Sequence, residues 1–317
     1  TGYLLLVTTV VASLALLLMS GPLHIERLWE FTNYTGAAGG DVWPRVGGQW
    51  PFLLGLLLPM YTVTGYDGSA HTSEETKNAT ATVPRAIVKS VFWAFLAGWV
   101  ILSSVILAIP DMKEAAHQGW NVFFWVLEKR LPDIIRYPIL VSIFVCQILC
   151  GMATVTSTSR MTFAFARDGG LPFSKLLASV NTSTKAPEPA IWATALVTSI
   201  FMAMATLTTI KGVSVYAVVV SCTVIFLFLT YAIPVILGGI ALGGEKWPHP
   251  GKWNIGTVPF KILSGIVALA LGLIIYIGIQ PPNQWALTVL IATLVLLTTL
   301  WFTVQRRTYK GPPIIKH

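Results

Sequence analysis

The chain has 317 residues, of which 55% are hydrophobic and only 11% charged, with a formal charge of +8. Soluble domains carry about 25% charged residues, so an ordinary water-exposed globular fold is excluded. No basic tract interleaved with aromatics occurs, which excludes a nucleic-acid partner; the positive balance instead fits the Lys and Arg excess on the cytoplasmic side of membrane proteins.

Residues 1–23, 137–159, 189–210, 212–244 and 262–305 contain no Asp, Glu, Lys or Arg. About 20 apolar residues cross a bilayer as a helix, and lipid offers the backbone no other hydrogen-bond partners. The period-two alternation of barrel strands is absent. The spans predicted in chain order cover residues 3–20, 49–65 continuing to 76, 87–109, 135–160, 189–209, 213–240, 259–279 and 284–304. Pro281 and Pro282 divide the last two, because Pro ends or kinks a helix. The expected fold class is therefore an all-α polytopic membrane helix bundle, a single transmembrane domain over residues 1–317.

The opening run begins at Thr1 and lacks the basic region and cleavage site of a signal peptide. The expectation is a chain that starts inside a larger protein. On this map fourteen Lys and Arg share the side of the C-terminal tail, against seven (Arg27, Arg45, Lys113, Lys129, Arg130, Arg136 and Lys211) on the other. That places both ends of the chain in the cytoplasm. Of the sequons at Asn33, Asn78 and Asn181, only Asn33 then falls outside, as a glycosylation acceptor or a chance triplet. Tryptophans near span ends, such as Trp43, Trp50, Trp285 and Trp301, form the expected interfacial belt.

The second span differs from the rest. Its apolar part is short, and Gly65-Tyr66-Asp67-Gly68 interrupts it with a carboxylate at membrane depth. Such acids are costly in lipid and usually functional, and a Gly-interrupted hydrophobic segment is the best sequence pointer to a transporter's binding site. Unwinding frees carbonyls for an ammonium group, while the following half-helix offers its N-terminus to an anion. Asp67 as a plain helix N-cap is the alternative, and the two are compatible. Asp67, His71, Glu74 and Glu75 recur at spacings that place them on one helix face. They read as a gate or proton relay, or as a solvated half-helix braced by Lys77, Arg85 or Lys89. A zinc hydrolase is excluded, since neither His-Glu-x-x-His nor a third ligand is present.

The fourth span ends in Thr154-Val155-Thr156-Ser157-Thr158-Ser159-Arg160. These hydroxyls suit close helix packing, and Thr156, Ser157, Thr158 and Ser159 are also candidate oxygen ligands for a cation. Arg160 to Pro172 reads as a helix end followed by a turn. Cys146, Cys150 and Cys222 all lie in apolar runs and are too few for a metal site. No cofactor is expected.

Thr64 to Thr76 followed by Pro84-Arg85-Ala86-Ile87 resembles the discontinuous sixth helix of amino acid permeases. Ser159-Arg160-Met161 with Phe165-Ala166-Arg167-Asp168-Gly169-Gly170-Leu171-Pro172 resembles the end of their eighth. Both belong to the amino acid–polyamine–organocation (APC) superfamily, and the Gly-Tyr-Asp…His…Glu-Glu version is similar to its GABA, choline and amino acid permease branch. The resemblance implies a five-plus-five inverted-repeat fold with two further helices, of which this chain carries the fifth to twelfth. It implies a secondary active permease of amino acids or related amines such as GABA or choline, working by alternating access, not an enzyme, and in the plasma membrane. Thr62, Thr64, Gly65, Tyr66, Asp67 and Gly68 fall at the family's substrate site, with Tyr66 beside the substrate and the carbonyls of residues 62–65 on its amine. The family's first helix, which supplies the other half of that site, is not in this chain, so the chain alone is not expected to transport. Some relatives carry a Lys in the fifth helix in place of sodium; residues 1–23 hold none, and the coupling ion stays open between proton and sodium. A nutrient sensor or partner subunit on the same fold is the alternative function.

Overall fold

The computed structural model describes residues 2–37, 45–48, 50–207, 209–210, 213–244, 247, 253–280, 284–309 and 311. Trp43, Lys211, Pro281 and Pro282 of the readings above lie outside the described residues.

Seven helices among the described residues are long and apolar enough to cross a membrane. They are α1 (Gly2–Met19), α5 (Ala79–Ala108), α8 (Asp133–Arg167), α10 (Glu188–Leu207), α11 (Val215–Ala241), α12 (Thr257–Gly278) and α13 (Gln284–Leu300). Between 6% and 28% of each apolar window is buried inside the protein. Large side chains such as Trp192, Leu196, Leu269 and Phe144 stand exposed, and a face of that size needs an apolar medium. The remaining predicted span is present as two short helices, α2 (Trp50–Gly55) and α3 (Leu57–Thr62). Short elements complete the order: α4 (Gly68–His71), α6 (Met112–Ala116), α7 (Val122–Arg130), α9 (Ser174–Leu177) and the antiparallel pair β1 (Thr209–Ile210) and β2 (Val213–Ser214). After α13 come a π-helical turn (Trp301–Gln305) and α14 (Arg306–Thr308).

Two boundaries differ from expectation. α5 starts at Ala79 instead of residue 87, with Pro84 inside it. As the sixth residue of the helix, Pro84 cannot donate to Thr80 O, so the ladder lacks one bond there. α8 runs on to Arg167, past the expected end at Arg160. Its 35 residues make it about 52 Å long, well beyond a hydrocarbon core of about 30 Å. A Schellman-type close then ends it: Gly170 N–H donates to Phe165 O and Gly169 N–H to Ala166 O, both at 2.9 Å, with Gly169 at φ +80°.

The chain divides into two compact units. The first comprises residues 1–66 and 86–150. Its core joins Ala12 and Leu16 of α1, Val105 and Ala108 of α5, and Trp125, Val126 and Leu127 of α7. The sequence reading passed over α6 and α7, because helices of this length lack the continuous apolar run that marks a span. Asp111 caps α6 by accepting from Glu114 N–H at 2.8 Å, which holds its carboxyl below the usual range. The C-terminal carbonyls of α5 are met by two cations. Arg130 Nε donates to Ala108 O at 2.6 Å, and Arg27 Nη1 donates to Ile109 O. Guanidinium groups there satisfy orphan carbonyls and oppose the negative end of the helix dipole. The Asn33 side chain is engaged locally, donating to Val46 O at 2.7 Å and accepting from Thr35 N–H at 3.0 Å.

The second unit comprises residues 67–85 and 151–317. Its centre is the α11–α12 pair, where small residues let the backbones approach. A Cβ on Gly239 would stand 2.1 Å from Ser264 Oγ, and one on Gly278 2.7 Å from Ile225 Cδ1. Ser264 Oγ donates to Phe260 O at 3.0 Å, and Cys222, Ile225, Ala286 and Leu290 close the core beside it.

Replacing Gly239 with Leu should therefore force α11 and α12 apart. Overpacking of this kind costs about 1–3 kcal/mol. A lower melting temperature in detergent and loss of a monodisperse peak are expected. Gly272→Leu on α12, where nothing lies within 4 Å of the added Cβ, should leave both unchanged.

Candidate functional site

Pro59 has no N–H to donate to Gly55 O, and the helix is interrupted at Leu56 between α2 and α3. After Thr62 the ladder gives way to three-residue closures, Val63 N–H to Met60 O at 3.4 Å and Thr64 N–H to Tyr61 O at 3.1 Å. Gly65 sits at φ +85°, a backbone conformation that glycine reaches without a Cβ penalty. The regular ladder resumes only with His71 N–H donating to Asp67 O at 3.0 Å. The interruption thus covers residues 63–67, and Gly68 already belongs to α4.

On the first-unit side, Thr64 Oγ1 donates to Tyr61 O at 2.7 Å. Thr62 packs against α5 where only glycine fits: a Cβ on Gly98 would stand 2.5 Å from Thr62 Cγ2. Gly65 has open space where its Cβ would be.

On the second-unit side, Asp67 holds the N-cap position of α4, but its side chain makes no capping bond. Instead its two oxygens take separate partners. Tyr231 of α11 donates its hydroxyl to Oδ1 at 2.9 Å, and His71 Nε2 lies 3.2 Å from Oδ2. All three are half-buried. Tyr231 was missed in the sequence because it lies 164 residues away in an apolar run. A buried phenol needs a polar partner, and that rule is the one signal that pointed to it.

The expected single face from Asp67 to Glu75 is not a continuous helix. α4 stops at His71, Thr72 breaks the run, and Ser73–Glu75 form a 3-10 turn. Thr72 Oγ1 competes for the Gly68 carbonyl at 3.1 Å, the local back-bonding that disfavours helix interiors. The two glutamates then point to different partners. Arg160 grips Glu75 in a bidentate pair, Nε to Oε1 at 2.9 Å and Nη2 to Oε2 at 2.7 Å. Arg167 lies 3.7 Å from Glu74 and 3.2 Å from Asp168. The braces are these arginines of α8, in place of the expected Lys77, Arg85 or Lys89. Arg167 reaches because α8 continues two turns past its predicted end at Arg160.

The hydroxyl stretch of α8 divides. Thr156 Oγ1 donates to Met152 O at 2.8 Å and Ser159 Oγ to Thr156 O at 3.0 Å, both within the helix. Ser157 Oγ is buried without a hydrogen-bond partner and lies 3.6 Å from where a Cβ on Gly68 would stand. No group of three or more His, Cys, Asp or Glu able to hold a metal occurs among the described residues.

Comparison with known proteins places this geometry. Residues 1–301 match the amino acid permease family. The chain is 32% identical to the amino-acid permease BAT1 of Arabidopsis thaliana over 82% of its own length and 52% of that protein. It is 32% identical, over the same shares, to the BAT1 homolog of Oryza sativa subsp. japonica. An uncharacterized amino-acid permease of Schizosaccharomyces pombe is 25% identical over 85% of this chain and 48% of that protein. The chain thus spans about half the length of the curated relatives it matches. With seven membrane-length apolar helices and this match along nearly its whole length, the chain is a multi-pass integral membrane protein and belongs to the amino acid permease family.

Proposed function

We propose that the complete protein is a secondary active permease that moves amino acids, or related amines such as GABA or choline, by alternating access. One observation carries this reading: an apolar helix loses its ladder over residues 63–67, beside a carboxylate. Lipid does not tolerate irregular backbone unless protein or a polar cavity surrounds it. In this reading the carbonyls of residues 62–65 hold the substrate ammonium and Tyr66 lies beside its carbon skeleton. The amino-acid permeases among its relatives support an amino acid as the cargo.

Asp67 serves as a fixed negative charge at the break, oriented by Tyr231 and His71. His71 is the proton-relay candidate, and Ser157, buried without a hydrogen-bond partner, is a candidate cation ligand from the Thr156–Ser159 stretch. Glu74 and Glu75, tied to Arg167 and Arg160, act as a gate that has to open for release. The protein sits in the plasma membrane in this reading; the placement of both ends of this chain in the cytoplasm is supported by fourteen Lys and Arg on that side against seven.

Radiolabelled uptake by the full-length protein tests the site. Asp67→Ala and Gly65→Leu should abolish uptake while membrane insertion, read by surface labelling, persists; normal uptake in either removes the break from the mechanism. Tyr231→Phe loses one hydrogen bond to a charged group, an interaction of about 1.5–3 kcal/mol, so uptake should fall at least tenfold.

The gate has its own test. Arg160→Gln and Glu75→Gln should change the uptake rate more than Arg167→Gln, because a bidentate pair outweighs a single long contact. Exchanging the partners as Glu75→Arg with Arg160→Glu should recover most of the rate that either single reversal loses.

A further inference from the structure

The last helix does not simply run out into the tail. Thr308 Oγ1 donates to Gly169 O at 2.9 Å, with Gln305 O of its own segment a longer second acceptor at 3.3 Å, and the shorter bond joins α14 to the turn that ends α8. The approach is so close that a Cβ on Gly169 would lie 2.3 Å from Thr308 O. The rings of Phe165 and Tyr309 lie 5.9 Å apart, and Trp301 and Tyr309 meet nearly edge-on at 5.7 Å. Tyr309 N–H donates to Gln305 O at 2.7 Å, which seats the tyrosine over the docked turn. All of these residues belong to the second unit.

We propose that Arg306–Tyr309 is a latch, which holds the end of α8 and with it the arginine that braces the half-helix. The turn at Gly169 follows directly on Arg167 and Asp168, whose side chains pair at 3.2 Å, and Arg167 also reaches Glu74. Undocking Thr308 frees the turn, lets the last turn of α8 fray, and slackens the Arg167 contact. The hydroxyl proton is the critical atom. Any group that replaces it, a phosphoryl group included, removes the donor and sets new bulk against the Gly169 carbonyl. Thr308 is exposed and follows two exposed arginines, so the hydroxyl is reachable. The docking stands on contacts alone; its consequence for transport rests on the permease reading.

Limited trypsin digestion of the full-length protein in detergent tests the latch, with mass spectrometry counting cleavage after Arg306 and Arg307. Cleavage requires the docked segment to open. Thr308→Val and Gly169→Ala should each speed cleavage about fivefold, the factor expected for one lost hydrogen bond. Thr303→Val, whose hydroxyl bonds only its own helix at Thr299 O, should leave the rate as in the wild type. Glu74→Gln should speed cleavage about twofold, and less than that when combined with Thr308→Val. Wild-type cleavage rates in Thr308→Val overturn the latch, and strictly multiplicative effects of Thr308→Val and Glu74→Gln overturn its coupling to the half-helix. Uptake by the same variants reconstituted into liposomes reports on the permease reading separately, because the digestion requires no transport.

Discussion

Every peptide group inside a bilayer needs a partner within the protein, and this constraint governs the structure. The long helices among the described residues satisfy it mainly by their ladders, helped at the end of α5 by Arg130 and Arg27 on its last carbonyls. α8 also satisfies it by ladder, but runs on beyond membrane depth. The helix at residues 50–71 departs from the pattern, lapsing at Leu56 and again from Val63 to Asp67. The departure is tolerable because the chain supplies local substitutes at each step. Thr64 turns its hydroxyl onto Tyr61 O, and Thr72 turns its own onto Gly68 O. A break without such substitutes would cost several kcal/mol per unpaired group. Its persistence here ties it to a task.

The polar side chains around the break are arranged by how much water each can reach. Asp67, half-buried, takes two single-point partners, a phenol and an imidazole. Glu75, 62% exposed, takes a full cation in a bidentate grip. That ordering follows from desolvation. A buried ion pair is rigid and expensive, whereas a half-exposed one forms and breaks with little net cost. The same carboxylate chemistry can thus serve as a fixed charge near the break and as a separable contact further along. The partner of the separable one, Arg160, lies in the last third of the long helix α8.

Much of the architecture was legible before any coordinates. Charge-free runs located the seven long helices to within a few residues at most ends, because lipid selects composition as strongly as packing does. Gly65 was legible too, since no other residue takes φ +85° cheaply. What the sequence concealed was of two kinds. Short amphipathic elements such as α6 and α7 carry no membrane signal, and their cores with α1 and α5 form by tertiary contact. Long-range pairing left no trace either. Nothing near Asp67 pointed to Tyr231, and basic residues close in the chain, Lys77, Arg85 and Lys89, looked better placed than Arg160 and Arg167. The helix decided otherwise. Sequence proximity measures distance along the chain, whereas α8 carries its arginines back to the half-helix from 85 residues away.

The glycines show how packing and function divide the same residue type. Gly239 and Gly278 are small because another helix occupies the space a Cβ would take, and Gly98 is small because Thr62 does. Gly65 has nothing within 4 Å of its missing Cβ. Its requirement is conformational, not steric. Open space beside this left-handed turn is the room that the proposed substrate would need. The Thr62–Gly98 contact then matters for a different reason. It pins the last helical residue before the break to a long, regular helix, so the unwinding starts at a defined point. A binding surface made of backbone has no side-chain rotamers to set its geometry, and such a pin is how the chain can give it one.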